Sequence, residues 1–154
     1  MNKKIIISII IAIIAIPIGV YTISPLFIES SINEDLPLSM QTNDEQRVMT
    51  LSSGRFVGVD DGIHDAQGVA LIVPLEDGNK LLRFEDFHST NGPDLHVYLA
   101  TDNTASDFID LGNLKANNGN QNYEIPAGID IAKYDTALIW CKQFSVLFGH
   151  AELA

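Results

Sequence analysis

Residues 5–23 read IIISIIIAIIAIPIGVYTI and are apolar apart from Ser8 and Thr22. A helix that is apolar on every side is not stable in water unless it is deeply buried. At a rise of about 1.5 Å per residue, about 20 residues cross a hydrocarbon core of ~30 Å. The run therefore predicts one N-terminal transmembrane helix. Lys3 and Lys4 precede it, and Glu29, Glu34 and Asp35 follow it. The excess of positive charge before the run puts the N-terminus in the cytoplasm and the remaining chain outside. The expected location is the cell membrane, as a single-pass protein with an extracytoplasmic domain. The apolar stretch exceeds a usual signal-peptide core, and Pro25 follows the only cleavage-like triplet, Thr22-Ile23-Ser24. A retained anchor over residues 1–28 is thus favoured over a cleaved signal peptide. No cysteine follows the run to accept a lipid.

Charge is the next constraint. Nine Lys and Arg stand against 20 Asp and Glu, and two of the nine are Lys3 and Lys4. A domain this acidic repels phosphates, which excludes nucleic acid as a partner. The single cysteine, Cys141, excludes an internal disulfide. Residues 29–50 are polar, mostly acidic and without periodicity, and read as a flexible tether.

From residue 51 the pattern changes to short strands broken by turns. Candidates are Gly54–Val57, Val69–Val73 ending at Pro74, Leu81–Phe87, Leu95–Leu99 and Tyr123–Ile125. Val69–Val73 is apolar on both faces, as a central strand would be. Glu76-Asp77-Gly78-Asn79 and Asn91-Gly92-Pro93-Asp94 are turns. In Leu95–Leu99 the odd positions should face the core, with His96 and Tyr98 on the other side. Thr104–Asp107 has capping-box spacing and suggests a helical turn or a loop, and Phe108–Leu114 equally suggests a strand. Asn117–Asn122 reads as a loop. About seven to nine short strands in residues 51–154 point to an all-β fold, an antiparallel sandwich or barrel.

The stretch Trp140–Gly149 holds the only Trp and the only Cys. Read as one continuous strand, its even positions from Leu138 to Phe148 are bulky except Lys142, and Cys141 lies on the opposite row with smaller neighbours. Trp-Cys followed by Phe-Ser-Val-Leu-Phe-Gly is similar to the C-terminal signature of the DM13 domain. His64 with Gly68, Asn91–Leu95 and Asn122–Pro126 match further pieces in order, so the resemblance covers roughly residues 51–154. DM13 domains are small extracytoplasmic modules proposed to act in electron transfer. The resemblance implies a membrane-anchored redox module, an accessory protein rather than a stand-alone enzyme. It implies Cys141 as redox thiol or axial ligand, with His64, Asp94 and Trp140 as companions at a cofactor site. A redox or cell-surface protein would be the partner, besides the membrane reached through residues 5–23.

Read from the residues alone, Cys141 has two uses. It is a small buried hydrophobe, or it is a redox thiolate or a ligand to haem or a metal. In the first case the chain is a non-catalytic binding or adhesion module. Lys142 points to the other face and is poorly placed to activate the thiol. A c-type haem needs C-x-x-C-H and a usual iron–sulfur cluster needs four cysteines, so one cysteine excludes both. A noncovalent haem stays open. Every methionine, Met1, Met40 and Met49, precedes the domain, which disfavours a blue-copper site. Asp60-Asp61-Gly62 with Asp65 lacks the alternation of a calcium loop. No Ser-His-Asp motif, P-loop or HExxH supports a hydrolase.

Overall fold

A computed structural model of the protein describes residues 3–23, 29–36 and 49–154; the side chains of residues 6–8, 10 and 18–23 lie outside that description. Helix α1 spans Lys3–Ile23 with Pro17 inside it. Ile5, Ile9, Ile11, Ile13, Ile14 and Ile16 are all exposed on it. Among the described residues, no helix is long and apolar enough to cross a membrane.

Nine strands follow: β1 Ser52–Arg55, β2 Val57–Gly58, β3 Ala66–Pro74, β4 Lys80–Ser89, β5 Leu95–Ala100, β6 Phe108–Asn113, β7 Asn118–Ile125, β8 Thr136–Cys141 and β9 Val146–Glu152. They form two antiparallel sheets, in the orders β1-β3-β4-β7 and β2-β9-β8-β5-β6. One core cluster joins inward side chains of both, such as Ile72 and Phe84 with Val97 and Ile139. The fold is the expected all-β, sandwich-like one. Phe56 marks where the chain changes sheets between β1 and β2. Its buried ring meets Phe84 and Phe87 edge-on, at 4.9 and 5.3 Å between centroids. As expected, Leu95, Val97 and Leu99 face this core, while Tyr98 lies in a second cluster on the outer face.

The stretch Trp140–Gly149 corrects the sequence reading. It is a hairpin, with β8 ending at Cys141, a turn over 142–145 and β9 beginning at Val146. Ser145 takes a positive φ of 54° in that turn, which a continuous strand does not allow. Phe144, placed by alternation in the bulky row, is 64% exposed at the turn. Within β8 the two rows separate as read, with Cys141 opposite Leu138 and Trp140; the row of Cys141 belongs to the main core, and Leu138 and Trp140 to the outer cluster.

Two further segments differ. Asn117–Asn122 is not a loop; β7 already begins at Asn118 and pairs with β4 from His88↔Asn118 to Lys80↔Ile125. Pairing on both sides outweighs the weak strand propensity of an Asn-rich sequence. The second side is supplied by the segment read as a tether. Ser31 bridges Asn118 in parallel sense, and the backbone bonds Asn118 N–H to Ser30, Ile32 N–H to Asn118 and Glu34 N–H to Asn120 follow. Gly119, at φ 100°, admits this close approach, because a Cβ there would overlap the Ile32 carbonyl oxygen. The rest of the tether, residues 37–48, lies outside the described residues. At 104–107 the chain forms no helix. Asp102 accepts from the Thr104 and Ser106 hydroxyls, and β6 follows directly.

Candidate functional site

The ends of several strands meet at one end of the sandwich. Leu95 opens β5 opposite Cys141, which closes β8, and Cys141 in turn faces Val146 at the start of β9. The 59–65 loop, the Asn91–Asp94 turn and the 142–145 turn all lie at this end. Thr90 N–H bonds the Asp65 carbonyl, and Lys142 N–H bonds the Asp94 carbonyl.

Cys141 is 1% exposed within the apolar core. Its strand places it there: positions 137, 139 and 141 share one face of β8, and Ala137 and Ile139 are core residues too. Lys142 turns away, and its ammonium reaches Asp110 at 3.1 Å. The expectation that Lys142 does not serve the thiol agrees with this geometry.

His64 is held in a tight loop. The Asp61 carboxylate accepts the N–H groups of Ile63 and His64, both at 2.8 Å, and meets the His64 Nδ1 at 2.5 Å. The backbone bond from His64, followed by its side-chain bond and the Ile63 amide, pulls the Asp61 carboxyl down to about 2. The His64 ring packs edge-on to Phe148, 4.5 Å between centroids. Phe148 belongs to the same core cluster as Cys141. Gly92 sits so close to Phe148 and Leu95 that a Cβ would come within 2.9 Å of the Phe148 ring. His64, the Asn91–Leu95 turn and Cys141 are therefore gathered at one end of the domain, with Phe148 and Leu95 between them. Trp140 is not part of that group. It lies on the outer face near Tyr98, 6.4 Å between centroids, and Tyr98 stacks on Phe108 at 4.1 Å.

Asp94 meets a residue that sequence reasoning left aside. His96 is 8% exposed, and its Nε2 faces Asp94 Oδ1 at 3.3 Å and its Nδ1 faces Asp110 Oδ1 at 2.9 Å. Both ring nitrogens meet carboxylate oxygens. Burial pushes the Asp110 carboxyl up, but the His96 bond, the Gly112 amide and Lys142 together hold it below its ordinary value. The cluster ties β5 to β6 and to the 142–145 turn. The readable signal was the Asp94-x-His96 spacing: Asp94 is the turn residue just before β5 and His96 the second residue of that strand. Asp110 joins only through the pairing of β5 with β6.

The DM13 family, described as electron transfer DM13, matches residues 56–153, well over half of the chain. The chain belongs to the DM13 family. No curated protein and no solved structure gives a match. The family description names electron transfer without naming a carrier, so the donor set of this DM13 chain has to be weighed by itself. Among the described residues, no group of three or more His, Cys, Asp and Glu side chains is placed to hold a metal ion. An axial thiolate needs an open side from which haem iron can approach the sulfur. Cys141, buried as it is, offers none, so haem ligation by this cysteine does not fit the fold.

Proposed function

We propose that this DM13 chain is a membrane-anchored, extracytoplasmic redox module of the electron-transfer type, with Cys141 as its redox group and a redox protein as its partner. The observation that carries the reading is the place of Cys141: a lone thiol at the sandwich end where the His64 loop and the Asn91–Leu95 turn converge. An unpaired thiol outside the cytoplasm is open to oxidation unless it is shielded. Burial supplies that shield, and it restricts the sulfur to exchange after local opening of the covering turns, when the Cys141 thiolate attacks a disulfide of the redox protein, forming a mixed disulfide and releasing one of that protein's sulfurs as a thiol. The anchor reading is supported by the apolar run 5–23, interrupted only by Ser8 and Thr22, the lysines before it and the exposed isoleucines of α1.

A second reading is favoured by one specific observation. Complete burial among apolar side chains is also the ordinary setting of a structural cysteine. On that reading the domain is a non-catalytic binding module.

A visible absorption spectrum of the full chain purified from membranes, combined with thiol titration, separates the two. A redox module shows a chromophore, or a Cys141 whose oxidation state follows an applied potential and reverses without unfolding. A colourless protein whose thiol stays silent until denaturant is added supports the binding module. For the anchor, the domain should be cut by protease added outside intact cells and should stay with the membrane after a high-salt wash. Release of a shortened soluble chain would show a cleaved signal instead.

A further inference from the structure

The docked segment 30–35 fixes which end of the domain lies near the anchor. We propose that it is a clamp that turns the Cys141 end of the sandwich toward the lipid surface, where Ile63 and Phe144 contact the bilayer interface. This rests on the anchor reading above.

Four observations carry it. The segment runs parallel to β7, so Ser30 lies beside Asn117 and Asn118, at the start of that strand. Ser30 also lines a polar pocket of about 240 Å³ together with Asn91, Pro93, Asp94 and Asn113. The chain thus enters the domain at the same end as the Asn91–Leu95 turn and Cys141.

The chain leading there is short. Seven residue steps separate Ile23, the last helical residue, from Ser30. Fully extended they reach at most about 25 Å. The eight residues of β7 are about 26 Å long at ~3.3 Å each. Turning the domain over would need the whole reach of the link and would press the far end against the lipid.

The clamp is also built firmly. Besides the backbone bonds, the Glu34 carboxylate takes the Lys115 ammonium at 2.8 Å and the Asn122 N–H at 2.7 Å, while Arg83 donates to the Glu34 carbonyl at 3.1 Å. Burial pushes the Glu34 carboxyl up, but the bonds from Lys115 and Asn122 outweigh it and hold the group below its ordinary value.

The surface presented is suited to an interface. Ile63 is 70% exposed and Phe144 64%, each on a loop at this end. Large apolar side chains at loop tips lose water contact when they enter the boundary between headgroups and acyl chains. The acidic charge of the domain opposes free adsorption to anionic lipid, so the clamp and the helix, rather than general attraction, hold the contact.

The test uses the full chain in phosphatidylcholine vesicles that carry a nitroxide-labelled lipid. A thiol-reactive fluorophore is placed at Gln143→Cys, in the turn near Cys141, or at Glu76→Cys, in the β3–β4 turn at the far end; both positions are exposed, whereas Cys141 is buried. Quenching several-fold stronger at 143 than at 76 is expected. Ile63→Ser with Phe144→Ser should reduce quenching at 143 while the chain stays with the vesicles. Gly119→Val, whose side chain would displace Ile32, should level the two positions, and so should Glu34→Lys, which leaves the residues of β7 themselves unchanged. Equal quenching in the wild type, or stronger quenching at 76, overturns the proposal. A domain whose end docks on a protein instead of lipid shows no preference in pure lipid and also overturns it. Persistence of the preference in both clamp variants, with melting close to the wild type, shows that the segment does not set the orientation. Failure of the wild-type chain to float with vesicles removes the anchor reading itself, a result distinct from floating without preference.

Discussion

Replacing Cys141 by serine tests the central residue most directly. The side chain is 1% exposed and its neighbours belong to the apolar cluster that joins the two sheets. Serine is close in shape to cysteine, so little volume is lost; what changes is polarity. A buried hydroxyl without a partner costs on the order of 1–3 kcal/mol. For a domain of about 100 residues each kcal/mol lowers Tm by about 4–8 °C, so Cys141→Ser should melt between about 4 and about 24 °C lower. Cys141→Ala leaves a small void but no unpaired polar atom, and should lose less than the serine variant. Circular dichroism melting of the three proteins gives the values, and alkylation of the native wild type reports access to the sulfur. If Cys141→Ser melts within about 2 °C of the wild type, and the native thiol reacts like that of a free cysteine, the burial argument is refuted. A stability loss with an inert thiol and no chromophore leaves the structural cysteine standing and removes the redox reading.

The segment 30–35 protects alternate amides of β7: Asn118 bonds Ser30, Asn120 bonds the Asn33 side chain and Asn122 bonds Glu34. Deleting residues 29–36 should therefore speed hydrogen exchange at those three amides and leave the β5–β8 pairs protected, as measured by NMR. Gly149 packs against Ala66, whose Cβ would lie 2.6 Å from an added Cβ, so Gly149→Ala should cost about 1–3 kcal/mol in urea unfolding. Glu34 and Asp110 have lowered pKa values, so the stability they contribute is complete above their ordinary values of 4.5 and 3.8 and declines as pH falls through the lowered ones. Acid unfolding of Glu34→Gln should accordingly be less steep below pH 4.5 than that of the wild type.

The sequence by itself determined what depends on neighbours along the chain. Alternation in Leu95–Leu99 set which side chains face the core, because successive residues of a strand point to opposite faces. The Asp77-Gly78 turn and Pro74 bounded β3 and β4 for local conformational reasons. The family was legible because its pieces occur in order. Tertiary structure decided what depends on pairing between distant segments. One residue in an unexpected conformation, Ser145, divides Trp140–Gly149 into two strands, and a period-two reading carried across that break puts Phe148 in one row with Trp140, whereas Phe148 lies in the main core and Trp140 at the outer cluster. The Asn-rich stretch became β7 because β4 and residues 30–34 bond its backbone on both sides, and backbone bonding does not depend on side-chain pattern. His96 gained Asp110 only through the register of β5 with β6, a contact across 14 residues that no local spacing encodes.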